Sequence, residues 1–291
     1  MKSFEYMAPK TIKEVVSALK KHGKKAMIVA GGTDLLVKMK GRALGPDVIV
    51  DIKRVPGLDE IKFDKKNGLT VGACVTMREV ELSPVVRKHY PGVAEGAEIV
   101  GSVQIRNRAT IVGNLCNAAP SADVAPGLMV HGAKVKVAGP GGSRTLPLEG
   151  FFAGPGRNTL KPGEWVTHVV VPPPPPRTGS AYVRHCTREA MDIAVVGVGA
   201  SVTLAPKNGV CKEARIVLGA VAPTPIRAPR AEALLRGQKL TDALIAQAGQ
   251  VASEEARPIS DQRGSAEFRR DLTKVMTERM VKQALNAAKK G

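Results

Sequence analysis

Along the first sixty residues the apolar positions switch between helical and strand spacing. Ile12, Val15, Val16 and Leu19 fall at i, i+3, i+4 and i+7 with lysines opposite and Gly23 just beyond, which predicts an amphipathic helix over 11–22. Met27, Ile28 and Val29 follow as a short buried-strand run that breaks at Gly31 and Gly32. Leu35 to Met39 then resumes as a helix, for which Thr33 or Asp34 is the expected cap. Val48 to Ile52 reads as another strand, closed by Pro56 and Gly57. This αβαβ order predicts a small α/β layer. A double-glycine turn between strand and helix aims backbone N–H groups at one point, a geometry that favours phosphate. A plain strand–helix junction with no ligand fits those two glycines equally well.

Past Leu58 the pattern changes. Leu69 to Ala73 reads as a strand, and Met77 to Val86 as one short helix capped by Thr76, with further helix through Ala94–Ala97. The stretch from Gln104 to Pro126 has few large apolar residues and many small or polar ones, so a loop shaped around something is expected there. Ala133–Ala138 and Trp165–Val171 are strand-like between Gly/Pro-rich turns, which predicts a mostly antiparallel second layer. The run Pro172 to Pro176 stops any sheet and predicts a rigid connector and a domain boundary. Beyond it, Ala194–Leu204 and Glu213–Ala220 read as strands around an Asn208-Gly209 hairpin turn. Helices follow at Arg230–Leu235, after Thr241, and over a last segment marked by Phe268, Leu272, Val275 and Met276. The expected fold is α+β. It has a two-subdomain module over residues 1–177, divided near 57, and a sheet-plus-helices domain over 178–291.

Composition narrows the chemistry. At 291 residues two domains are expected, and an aromatic content of 3% leaves the core to Val, Ile, Leu, Ala and Met. Cys74, Cys116, Cys186 and Cys211 are scattered without paired spacing, which argues against a zinc or iron–sulfur site on this chain. Cys116 reads as a small buried thiol, and His131, His168 and His185 share no metal spacing. The net charge of +18 raises nucleic-acid binding, but no basic block interleaved with aromatics is present. A lysine-rich solvated surface, or docking to an acidic partner, fits better. No apolar run is long enough to span a bilayer and the first residues lack a signal-peptide core, so the expected location is cytoplasmic.

Four segments together carry a resemblance. They are Ala30-Gly-Gly-Thr-Asp-Leu35, Gln104-Ile-Arg-Asn107 with Thr110-Ile-Val-Gly-Asn114, Arg188-Glu-Ala-Met-Asp-Ile-Ala194, and Ala222-Pro-Thr-Pro-Ile-Arg-Ala228. In that order the chain resembles, over essentially its whole length, the FAD-binding medium subunit of the molybdenum hydroxylases, the xanthine dehydrogenase and aerobic carbon monoxide dehydrogenase family. The resemblance implies FAD as cofactor, with Ile28, Val29, Ala30, Gly31, Gly32, Thr33, Asp34 and Leu35 as one pyrophosphate cradle. Thr110, Gly113 and Asn114 would form the other. It also implies that Asp123 lies near the ribityl and adenosine hydroxyls, that Val169 is in a strand lining the flavin cleft, and that Arg184 stands where the family often has a lysine. A helix-capping role for Asp123 is the alternative. Asp192 is expected to be a buried, hydrogen-bonded carboxylate fixing the last domain against the cleft.

The same resemblance implies partners: a molybdopterin-binding large subunit, a small [2Fe-2S] subunit, and an electron acceptor such as NAD+ or a quinone. No nucleic acid and no membrane span are expected, and the cysteine-rich insert of cluster-carrying relatives is missing. A stand-alone FAD-dependent reductase or oxidase is the alternative, although no convincing catalytic set is visible in the last domain. No residue is expected to act as a catalytic nucleophile or metal ligand.

Overall fold

A computed structural model of the chain describes residues 1–206 and 209–290. The chain opens with a strand that the apolar pattern does not announce, β1 (Glu5–Met7), followed by α1 (Ile12–His22), β2 (Ala26–Val29), α2 (Leu35–Lys40) and β3 (Val48–Asp51). Thr11 caps α1 by accepting from the Glu14 amide, and Gly23 ends it with a φ of 54° that a side chain would resist. α1 buries Val15, Ala18 and Leu19, while Ile12 stays exposed. The strands form a parallel sheet in the order β1-β3-β2, so the turn after β2 lies at the carboxyl end of the sheet.

The second layer begins with β4 (Ile61–Asp64) and β5 (Gly68–Gly72). The single helix expected over Met77–Val86 is two: α3 (Met77–Leu82) and α4 (Pro84–His89). Pro84 has no N–H for a continuing helix, and Ser83 before it takes an extended conformation and caps α4 through the Val86 amide. Thr76 and Glu79 form a reciprocal capping box on α3. α5 (Pro91–Glu98) follows, and the expected loop over 104–126 is instead a chain of short helices, α6 (Val103–Arg106), α7 (Ile111–Asn117) and α8 (Val124–Met129). Small residues make this possible: Gly127 and Gly92 meet so closely that a Cβ on Gly127 would lie 2.3 Å from the Gly92 carbonyl oxygen. Strands β6 (Lys134–Gly139), β7 (Gly142–Pro147), β8 (Phe152–Gly154), β9 (Arg157–Asn158) and β10 (Trp165–Val171) complete the layer. β4, β5, β10, β6 and β7 pair in that order, antiparallel throughout as expected.

After the proline run come β11 (Thr178–His185), which carries Arg184 and which the apolar pattern misses, β12 (Val196–Leu204), β13 (Cys211–Gly219) and β14 (Ile226–Arg227) in one antiparallel sheet. The expected hairpin turn includes Asn208, which lies outside the described residues. The sheet is backed by α9 (Pro229–Leu235), α10 (Asp242–Glu255) and α11 (Ala266–Lys290). The four apolar residues that mark α11 do not all face inward. Phe268 and Val275 are exposed, while Arg269, Thr273, Met276, Thr277 and Met280 are buried. The inward register follows Arg269, whose guanidinium donates to the Val195 and Ala220 carbonyls and to Asp261.

Val15, Val48 and Ile52 of the first layer share one apolar cluster with Leu69, Val135 and Phe151 of the second, and a separate cluster fills the space between β11–β13 and α9–α11. Between the two clusters lies a polar seam. His131 Nε2 meets Ser180 Oγ at 2.9 Å, Ser201 Oγ donates to the Val130 carbonyl, and Tyr90 Oη donates to the Pro172 carbonyl.

Candidate functional site

The segment after β2 is built around two glycines with different duties. Gly32 has a φ of 77°, the left-handed region that favours glycine. Gly31 is required by packing, because a Cβ there would stand 2.0 Å from the Arg108 carbonyl oxygen. Among the described residues, the amides of Gly31, Gly32, Thr33 and Asp34 donate no hydrogen bond, and the next helical bond is Leu36 N–H to the Gly32 carbonyl. Four unpaired amides at the carboxyl end of a parallel sheet, where a helix starts, form a natural anion cradle. Ile28 packs against the large apolar cluster, Val29 joins Met39 and Ile49 in a small separate one, and Leu35 packs against that small cluster. Asp34 occupies the cap position of α2 with helical dihedrals, and its side chain does not cap. Its carboxylate instead accepts from Asn117 Nδ2 at 3.2 Å.

The second glycine-bearing segment faces the first. Met77 N–H to the Ala109 carbonyl and a bridge between Thr76 and Thr110 hold its approach. Thr110 caps α7 by accepting from the Gly113 amide at 3.0 Å, so that amide is already engaged. The buried Asn114 Oδ1 has no hydrogen-bond partner among the described residues. The Gln104-Ile-Arg-Asn motif explains itself here. Arg106, nearly buried, donates to the buried Glu81 carboxylate at 2.8 Å and to the Val100 carbonyl, while Arg78 pairs with the other Glu81 oxygen. That brace fixes the chain just before Arg108, where it presses on Gly31.

Asp123 and Arg184 form a second group. Their side chains are 9% and 4% exposed and meet at 2.6 Å, and Tyr182 Oη donates to the other Asp123 oxygen at 3.0 Å. Asp123 therefore does not cap α8. Burial pushes its carboxyl up to about 6, opposed by the Arg184 charge and the Tyr182 bond. Arg184 Nη2 is buried without a partner among the described residues. A cavity of about 530 Å³ opens beside this group, lined among others by Glu95, Glu98, Ile99 and His185.

The remaining expected residues sort as follows. Val169 is fully buried in β10, an interior strand, and offers no exposed side chain. Asp192 is not a buried tie between domains. It accepts from the Arg188 and Ile193 amides of its own loop, and those bonds hold it below the usual carboxylate range. Arg227 of the last motif pairs with buried Glu232, which also accepts from the Ile216 amide. Burial pushes the Cys116 thiol up to about 12, so it is no thiolate. Among the described residues no group of His, Cys, Asp and Glu is placed to hold a metal ion. Sequence reasoning missed Tyr182, Glu81 and Asn117. The signal was present only for Asn117, three residues past Asn114 on the same short helix.

Unpaired amides in one loop, an unpartnered amide oxygen in the facing segment and an unpartnered guanidinium nitrogen together suit a phosphate-bearing ligand with polar groups along its length. FAD fits this combination of donors with one acceptor. Two family models cover the chain: the FAD binding domain in molybdopterin dehydrogenase over residues 2–174, and the CO dehydrogenase flavoprotein C-terminal domain over residues 181–284. The chain is 34% identical over 264 residues to the putative xanthine dehydrogenase FAD-binding subunit of Escherichia coli (strain K12), covering 90% of each. It is 33% identical over 285 residues to the carbon monoxide dehydrogenase medium chain of Hydrogenophaga pseudoflava, covering 98% of this chain and 96% of that one. A solved structure of carbon monoxide dehydrogenase from Hydrogenophaga pseudoflava matches with a TM-score of 0.93 at 32% identity over 98% of both chains.

The fold and site define a flavoprotein oxidoreductase subunit whose cofactor is FAD. The chain belongs to the FAD-binding subunits of the molybdenum hydroxylases, the family that includes the xanthine and carbon monoxide dehydrogenases.

Proposed function

We propose that this chain works in the cytoplasm as the electron-transfer subunit of a three-part complex. Electrons from a molybdopterin-binding large subunit would pass through the [2Fe-2S] clusters of a small subunit, then through this chain's FAD to NAD+, a quinone or another acceptor. The observation that carries the reading is the run of unpaired amides from Gly31 to Asp34 facing a segment with its own unpartnered Asn114 oxygen. These are groups for binding. The relatives' names, FAD-binding subunit and medium chain, describe one chain among several.

In this reading residues 28–35 hold the diphosphate, Thr110, Gly113 and Asn114 close over it, and Asp123 and Arg184 engage the more distant polar atoms. Val169 contributes only through its place in β10. When bound, FAD supplies the electron-carrying chemistry. The chain's own residues bind it, orient it and set the charge around it. Residues 1–177 form the FAD-binding unit, divided near residue 57, and 178–291 the C-terminal domain. Co-purification of a tagged chain from its native host tests the assignment. A stoichiometric complex containing molybdenum, iron and FAD is expected. A lone yellow protein that oxidises NAD(P)H and reduces a small molecule unaided would instead establish a stand-alone flavoenzyme.

A further inference from the structure

Among the described residues, the two hydrogen bonds that run from residues 1–56 to the rest of the chain are both made by one side chain, Asn117. Its Nδ2 donates to Asp34 at 3.2 Å, and its Oδ1 accepts from Lys38 Nζ at 2.6 Å. The amide is matched to its partners, donor to carboxylate and acceptor to ammonium. The small layer also meets the second through the apolar packing of Val15, Val48 and Ile52 and through the pressing of Gly31 on Arg108.

The position of this clasp gives it a consequence for the ligand. Asp34 closes the run of unpaired amides, and Asn117 closes the helix that Thr110 opens. The first loop is thus pinned at Gly31 by close packing and at Asp34 by the clasp, with the Gly32 and Thr33 amides free between. Asp34 is also a carboxylate next to a cradle for an anion, where it would repel phosphate. Asn117 engages it on the α7 side, and Lys38 holds the other end of that amide.

Resting on the FAD reading above, we propose that Asn117 is a positioning residue. It holds the two loops at a fixed spacing and keeps the Asp34 charge engaged, and so slows the release of the cofactor without contributing to the fold. Opening the clasp frees the small layer to move against the second layer on its apolar contacts, which are non-directional.

The test is the rate at which the purified full chain, loaded with FAD, releases it on dilution, followed by the rise in flavin fluorescence. Asn117→Ala is expected to release FAD about 3- to 10-fold faster, the effect of losing one or two modest hydrogen bonds. Its apo Tm should stay within about 2 °C of wild type, because these bonds lie at or near the surface. Asn117→Asp should be worse than Asn117→Ala, since it faces Asp34 with a like charge. Adding Asp34→Asn to it rebuilds the donor–acceptor order and should recover most of the loss. An Asn117→Ala release rate within twofold of wild type overturns the proposal, as does a fall in apo Tm of more than about 5 °C, which would make Asn117 a structural residue. A wild-type chain that retains no FAD would sink the flavin reading itself, a different result from a tight wild type with an equally tight variant.

Discussion

Gly31 and Asp123 show how single residues carry two demands at once. A methyl group on Gly31 would overlap the Arg108 carbonyl, so Gly31→Ala must push apart the two glycine segments, the proposed cradle for FAD. The expected cost is about 1–3 kcal/mol in urea unfolding, typical of overpacking, together with weakened FAD binding by fluorescence titration. Gly113→Ala meets only Thr110 Oγ1 and should cost less. Asp123 makes a prediction in pH. Burial raises its carboxyl from 3.8 to about 6, so over that window the folded chain keeps a proton that the unfolded chain has released. Its contribution to stability therefore falls as pH rises from about 4 to about 6. Asp123→Asn leaves Arg184 without its charge partner and is destabilising overall, but its Tm relative to wild type should improve across that window, and a flat difference would contradict the assignment. The glycines were legible in the sequence as a turn. That one of them serves backbone packing was not, because its neighbour lies 77 residues away.

At the scale of elements, the brace between α3 and α6 is the clearest device. Glu81 is buried, Arg106 nearly so, and the pair fixes the chain that leads into the second glycine segment. Glu81→Ala leaves a desolvated guanidinium without its partner and is expected to cost about 3–5 kcal/mol, read from the midpoint of urea denaturation. A loss below about 1 kcal/mol would show that Arg106 finds water or another acceptor. Periodicity placed α1, β2, β3, β5, β6, β10 and β12 well, since each has an apolar face or run of its own. It missed β1, β4, β7, β8, β9, β11 and β14, most of them short or carrying polar residues such as Arg184, which become strands through the partners they pair with. It also merged α3 with α4 across Pro84, where the backbone rule should have outweighed the apolar spacing.

For the whole molecule the cofactor is a ligand of the native state alone. FAD at 100 times its Kd should raise unfolding free energy by about 2.7 kcal/mol, measured as the shift between apo and loaded chain in urea; no shift would remove FAD as a native ligand. No helix among the described residues is long and apolar enough to cross a membrane. By itself the sequence determined the α+β class, the antiparallel second layer and the two glycine segments, because these rest on local patterns of apolar spacing and turn residues, and its four short motifs carried the resemblance that implied the family and FAD. Only the tertiary structure decided what those motifs do. It buried Val169, turned Asp192 onto its own loop, set Arg106 on Glu81, and brought Asp34 to Asn117 and Asp123 to Arg184. Apart from the local loop of Asp192, each of these is a pairing of polar groups, or an exclusion from the surface, between residues or strands that only the fold makes neighbours. Their energy depends on distance and burial, quantities that no local pattern contains.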